Sequence, residues 1–191
     1  MNEAIAFLDE SAPRQDREPG TYLIAAAILA AEDQPAAREQ MARVKPKGLA
    51  KAHWHQQPDQ RQRRTLVAAV AALPGTQLVV VRVGAPDIRP ERRRRICLER
   101  MAYELGELGV HEAVIESRGA ADDARDVDLL QALRRQHALA APLRFDHLAG
   151  PAEPLLWAPD ILCGALNEAR MGDDAYLAML PNLRVVVVED R

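Results

Sequence analysis

An apolar run, Ala4-Ile5-Ala6-Phe7-Leu8, leads directly into Asp9-Glu10-Ser11. Carboxylates at the end of a buried strand are costly unless something cationic meets them. In α/β proteins the carboxyl ends of strands are also where ligands are usually bound. A second run, Ala113-Val114-Ile115, ends in Glu116, and a third acid, Asp160, lies between Pro159 and Ile161-Leu162. Each has apolar neighbours and so belongs near the core boundary. Oxygen donors from two strands and a helix, meeting at one place, suit a hard divalent cation, Mg²⁺ or Mn²⁺. Two such ions activate a water and stabilise the leaving oxygen in phosphodiester cleavage. Water is then the nucleophile, and no serine or cysteine is required. Glu10 and Asp146 are further candidate ligands or supporting groups. Taken singly, each acid has a plainer reading. Asp9-Glu10 solvates a loop, Asp160 complements a helix dipole, and Glu116-Ser117-Arg118 makes an exposed ion pair. Convergence is what separates the two readings.

His53-Trp54-His55 puts two imidazoles on one face of an extended segment. Zinc needs more ligands, and the spacing supplies none. His53 is therefore read as a proton shuttle or phosphate contact, against the plainer role of a structural surface histidine. Arg92-Arg93-Arg94-Arg95 spans more than one helical turn, which describes a solvated surface. With Arg61, Arg63 and Arg64 it would instead form a phosphate-binding rim, and Arg61, Arg64 and Arg93 are candidate nucleic-acid contacts. No aromatic stripe for base stacking is visible.

The chain has 191 residues, which fits a single domain, 1–191, with a sizeable core. Aromatic residues are only 4%, so that core is built from Leu, Val, Ile and Ala. A net charge of -3 gives no global basic field to attract nucleic acid, so any such binding rests on local patches. Arginine dominates the positive charge, the lysines being Lys45, Lys47 and Lys51. Cys97 and Cys163 are far apart and form neither a zinc motif nor a disulfide framework. A reducing cytoplasm, the absence of a signal peptide and no membrane association are the corresponding expectations. The longest apolar run, residues 22–31, is too short to span a bilayer.

These residues must be positioned by alternating elements. Strands are expected over 3–9 and 21–31, antiparallel and joined by a polar loop at 12–20. Helices follow at 33–43 and at 59–73, where Leu66, Val67, Val70 and Leu73 recur at the 3.6 period. Lys45 to Pro58 is irregular between them. Pro74-Gly75 stops the second helix before a buried strand at 78–81. A helix over 90–108 has Pro90 in its first turn. A strand at 110–116, a helix at 122–137 and a short strand at 143–147 come next. The last helix spans 153–170, kinked or truly begun at Pro159, and the last strand is 183–188. This order predicts an α/β fold, a mixed sheet flanked by helices on both faces. The hydrophobic Val185–Val188 segment would pair with another chain in a homodimer.

A first strand ending in Asp9-Glu10-Ser11, a mid-chain strand ending in Glu116, and Pro159-Asp160-Ile161-Leu162-Cys163-Gly164-Ala165 together resemble an uncharacterised bacterial family. Its members begin with strand-Asp-Glu-Ser-Gly and carry a late Ala-Asp-x-x-x-Gly-Ala-like helix. That family is similar to the ribonuclease H-like superfamily, mostly metal-dependent nucleases and strand-transfer enzymes. The resemblance implies Asp9 as the first-strand metal ligand, Glu116 as the mid-sheet acid and Asp160 as the late helical acid. It also places Lys51-Ala52-His53-Trp54 on a Lys/His-containing segment near the site, which makes Lys51 a candidate nucleic-acid contact. The chain departs from the pattern with Ala12-Pro13 after the serine, which alters the loop, and with Glu116 where Asp is common, which lengthens a ligand arm. A haloacid dehalogenase-type phosphatase also begins with a strand-terminal Asp, but it needs a second acid two residues later, where this chain has Ser11. The expected activity is metal-dependent hydrolysis of a nucleic-acid phosphodiester. The rival is a non-catalytic ribonuclease H-like scaffold or partner-binding protein, in which the three acids are scattered or paired with arginines.

Overall fold

A computed structural model of the chain describes residues 3–13, 17–57, 59–136 and 143–189. Parts of three expectations, residues 14–16 of the first loop, Pro58 and His137, lie outside the described residues. The strands are β1 (Ala4–Ser11), β2 (Tyr22–Ala30), β3 (Thr76–Val83), β4 (Glu112–Glu116), β5 (Arg144–Leu148) and β6 (Leu183–Glu189). The helices are α1 (Gln34–Val44), α2 (Gln60–Ala71), α3 (Pro90–Glu107), α4 (Ala120–Arg135) and α5 (Trp157–Arg170). They form one mixed sheet in the order β5-β4-β1-β2-β3-β6. The β1–β2 and β2–β3 pairs are antiparallel, and β1–β4, β4–β5 and β3–β6 are parallel.

Alternation along the strands builds a separate core on each face. Phe7, Leu23, Ala25, Ala27, Leu29, Val79 and Val81 meet α1, α2 and α5. Ala6, Leu8, Tyr22, Ile24, Ala26, Ile28, Leu78 and Val80 meet α3 and α4. The central strand β2 is covered on both sides, which explains its unbroken apolar sequence. Its alanines leave little bulk against α5, whose residues Trp157 through Leu166 are all buried. Helix α5 begins at Trp157, so Pro159 sits in its first turn, where its missing N–H costs nothing. The preceding residues form a separate 3-10 turn, Pro154–Leu156, capped by the Glu153 carboxylate on the Leu155 N–H. No helix among the described residues is long and apolar enough to cross a membrane. Strand β6 is an edge strand whose Val185 and Val187 are 40% and 55% exposed.

Two glycines are required by close approach. Gly75, in the α2–β3 turn, adopts φ +92°, and a Cβ there would lie 2.0 Å from the Ile28 carbonyl oxygen. Gly164, in the middle of α5, lies beneath the Trp54 indole, and a Cβ there would come within 2.2 Å of two of its ring carbons. Trp54 is 2% exposed, packs edge-on against Tyr176 at 5.1 Å and carries the Arg63 guanidinium over its ring at 4.8 Å. Gly164 therefore seats the irregular segment between α1 and α2 on the sheet's α5 layer. Gly164→Ala is expected to lower stability by about 1–3 kcal/mol through overpacking, measured by urea unfolding followed on tryptophan emission.

Candidate functional site

The parallel pairing of β1 with β4 aligns Leu8 with Ile115. The next residue on each strand is an acid, so Asp9 and Glu116 stand side by side, on strands about 4.8 Å apart. Both fall on the α5 face, because Phe7 and Val114, two residues earlier, pack into that core. Asp160, in the first turn of α5, approaches from above. Asp9 is held far above the usual carboxylate range, first by burial and then by the negative charges of Asp160 and Glu116. Asp9 therefore lies within electrostatic reach of both other acids.

Each acid is fixed by its surroundings. Asp9 Oδ1 accepts the Glu10 N–H at 2.7 Å. Asp160 accepts the Trp54 N–H at 2.7 Å and meets His53 Nδ1 at 3.0 Å. The bond to Asp160 raises the His53 pKa above its ordinary value. Glu116 lies against Gly150, where a Cβ would be 2.4 Å from its Oε1. Gly150 is in turn held by the Trp157 indole N–H, which donates to its carbonyl at 2.7 Å. Lys51 Nζ donates to Glu116 Oε1 at 2.5 Å, while Glu116 Oε2 is buried with no hydrogen-bond partner. The ammonium of Lys51 also lowers the Asp9 pKa, opposing the three upward causes.

The donor set suits a divalent cation: carboxylate oxygens crowded enough to repel one another, one of them buried without a partner. Among the described residues, no three Asp, Glu, His or Cys side chains already close on a common point as metal ligands do.

Three expected site residues lie elsewhere. Glu10 follows Asp9 and so points to the opposite face, where it meets Arg94 of α3 and Arg118. Arg94 also binds Asp126 through two nitrogens, and His147 Nε2 reaches the same carboxylate at 3.1 Å. Glu10 is thus a partner in a second, self-neutralised charge cluster and not a ligand beside Asp9. Arg93 lies on that far face too, buried, with its guanidinium on the Ile88 and Pro86 carbonyls. A rim joining Arg93 to Arg61 and Arg64 does not form, because α2 and α3 cover opposite faces. Arg61 and Arg64 remain exposed on α2. Asp146 stays on β5, half exposed and paired with Arg144 at 3.1 Å. The run Arg92–Arg95 was readable as a solvated face, and only Arg92 and Arg95 are exposed. Buried Arg94 was missed because its partners, Glu10 and Asp126, lie far away in sequence. Burial pushes the Cys97 thiol up to about 12 and Cys163 well above its ordinary range, so neither is a thiolate nucleophile.

The electrostatics of Asp9 fix a sign. Its folded-state pKa is raised, so the carboxylate costs the metal-free fold stability. That cost grows as pH rises from the ordinary value of 3.8 and is complete above the folded-state pKa. Asp9→Asn is expected to raise the melting temperature of the metal-free protein by roughly 2–4 °C at pH 7.5, with a smaller gain at pH 4.5. Paired melts in EDTA check this; an equal gain at both pH values would contradict the charge account.

The architecture has counterparts among solved structures. A chain from the complex of PCNA with ribonuclease HII of Archaeoglobus fulgidus superposes with a TM-score of 0.55 and 18% identity, over 88% of this chain and 74% of that one. Ribonuclease H2 of Pyrococcus horikoshii gives a TM-score of 0.55 and 14% identity over the same shares. A glutamine-to-alanine mutant of the ribonuclease HIII designated Bst gives 0.58 and 12% identity, over 90% of this chain and 54% of that one. No family model matches the chain, and no curated protein matches it significantly. At these identities the likeness is one of fold: this chain has a ribonuclease H-like mixed sheet with helices on both faces.

Proposed function

We propose that the chain is a divalent-metal-dependent nuclease in which Asp9, Glu116 and Asp160 hold Mg²⁺ or Mn²⁺. The supporting observation is that Asp9 of β1, the neighbour of Glu116 across the β1–β4 pair, is buried and feels the negative charges of Asp160 in α5 and of Glu116. Their partners are a lysine, a histidine and backbone N–H groups, not the arginines that a purely structural cluster would use. The second cluster, around Arg94, shows what such an arginine-neutralised arrangement looks like in this same fold.

When bound, the cation supplies charge stabilisation at the phosphate and a lowered pKa for the attacking water. The chain supplies the rest. Asp9 is the central ligand, held within β1 by its pairing with Ala25 of β2. Gly150 leaves the room that the Glu116 carboxylate fills. The Trp54 N–H and His53 aim Asp160, and His53, part exposed, holds a proton at Nδ1 against it. Arg61 and Arg64 on α2 share the site's face of the sheet and would meet backbone phosphates.

Wild type is expected to bind Mn²⁺ in calorimetry and to cleave at least one member of a panel of labelled DNA, RNA and hybrid substrates. Asp9→Asn should abolish binding and lower turnover at least about a hundredfold while its far-UV circular dichroism stays native. Unchanged Mn²⁺ binding by Asp9→Asn would sink the assignment. Metal bound without turnover on any substrate would favour the scaffold reading.

A further inference from the structure

One cation is already present among the three acids, and it belongs to the chain. Lys51 and Glu116 are each 19% exposed and meet at 2.5 Å. The pairing is incomplete, because Lys51 reaches Oε1 while the buried Oε2 has no partner. Arg94 in the second cluster is the contrast: it meets two carboxylates, one of them through two nitrogens, and is itself buried. A guanidinium fork held in that way is locked. A lysine ammonium is a compact point charge on a four-carbon stem and is easily turned out to water. The neighbouring backbone is anchored, since Ala52 is fully buried and Trp54 nearly so. The stem can therefore swing without moving the segment. In a chain whose positive charge is almost all arginine, the acid cluster holds one of the few lysines.

We propose that Lys51 is an exchangeable counter-ion of this site: its ammonium holds Glu116 when no divalent cation is bound and swings out to the mouth of the site when one binds. The inference rests on the metal-binding reading above. Lys51 and the cation compete for the same carboxylate oxygen, so the lysine weakens the apparent affinity for metal. It also keeps the emptied acids from repelling one another unopposed. Once released, the ammonium lies where a substrate phosphate would meet it, linking occupancy of the metal site to readiness for an anionic substrate.

Two measurements on the full chain test this. The first is Mn²⁺ calorimetry on wild type and Lys51→Met, with melts in EDTA to confirm folding. Removing a unit charge beside the site should tighten Mn²⁺ binding at least about tenfold. The second needs no variant: acetylation of wild type by an N-hydroxysuccinimide ester, followed site by site by mass spectrometry. Mn²⁺ should speed acetylation of Lys51 severalfold and leave Lys45 and Lys47 unchanged as internal controls. Mn²⁺ binding to wild type with equal or weaker affinity in Lys51→Met, or with Lys51 reactivity unchanged or reduced, would overturn the counter-ion role and leave the metal site standing. Absence of Mn²⁺ binding in both proteins would overturn the metal site and the counter-ion role together.

Discussion

Everything at the candidate site depends on one pairing: β4 lies parallel to β1, in a register that sets Asp9 beside Glu116 on the same face. A shift of one residue in either strand would put one carboxylate on the opposite side of the sheet. Parallel neighbours need a crossover between them, and here the chain between β1 and β4 contributes β2, α1, α2, β3 and α3. Most of the molecule is therefore the connection that brings two acids together. Helix α5 then delivers the third, across the alanine-lined surface of β2.

Gathering three carboxylates at a buried edge is unfavourable, and the surroundings offset it in separate ways. The Trp54 N–H and His53 Nδ1 hold the Asp160 carboxyl in place. The Lys51 ammonium opposes the repulsion at Asp9 and Glu116. The pKa of Asp9 stays raised, first by its burial and then by the charges of Asp160 and Glu116. A shift of this kind is costly for stability, and such residues concentrate at functional sites. On the far face the carboxylates of Glu10 and Asp126 are met by the guanidinium of Arg94, with Arg118 beside them. The two ends of charge in this fold therefore differ in kind: one is met by arginines, and the other keeps a buried carboxylate oxygen of Glu116 without a hydrogen-bond partner.

Much of this was legible in the sequence. Each expected strand and helix is present, with ends that differ by a few residues, because the periodicities of 3.6 and 2 and the Pro and Gly stops are local signals. Asp9, Glu116 and Asp160 could be singled out because each breaks an apolar stretch. The strand order, which makes Asp9 and Glu116 neighbours, came only with the fold. Glu10 was misplaced although alternation along β1 sends it to the other face; the attraction of a carboxylate pair outweighed that simple rule. Arg93 and Arg94 were misplaced because a run of four arginines looks solvated, and only the packing of α3 decides which of them turn inward. The Lys51–Glu116 contact spans 65 positions and has no sequence signature.

The tip of β1 has a consequence for how this chain can change. Asp9 and Glu10 are adjacent in sequence but serve opposite layers, one opening toward α5 and the other tied to α3. A substitution at either disturbs its own layer alone. Insertion or deletion of a single residue upstream in β1 does more, because it would exchange the two acids and unbalance both layers at once. The length of the first strand is thus fixed by both layers at once, whereas each of its two acids answers to one.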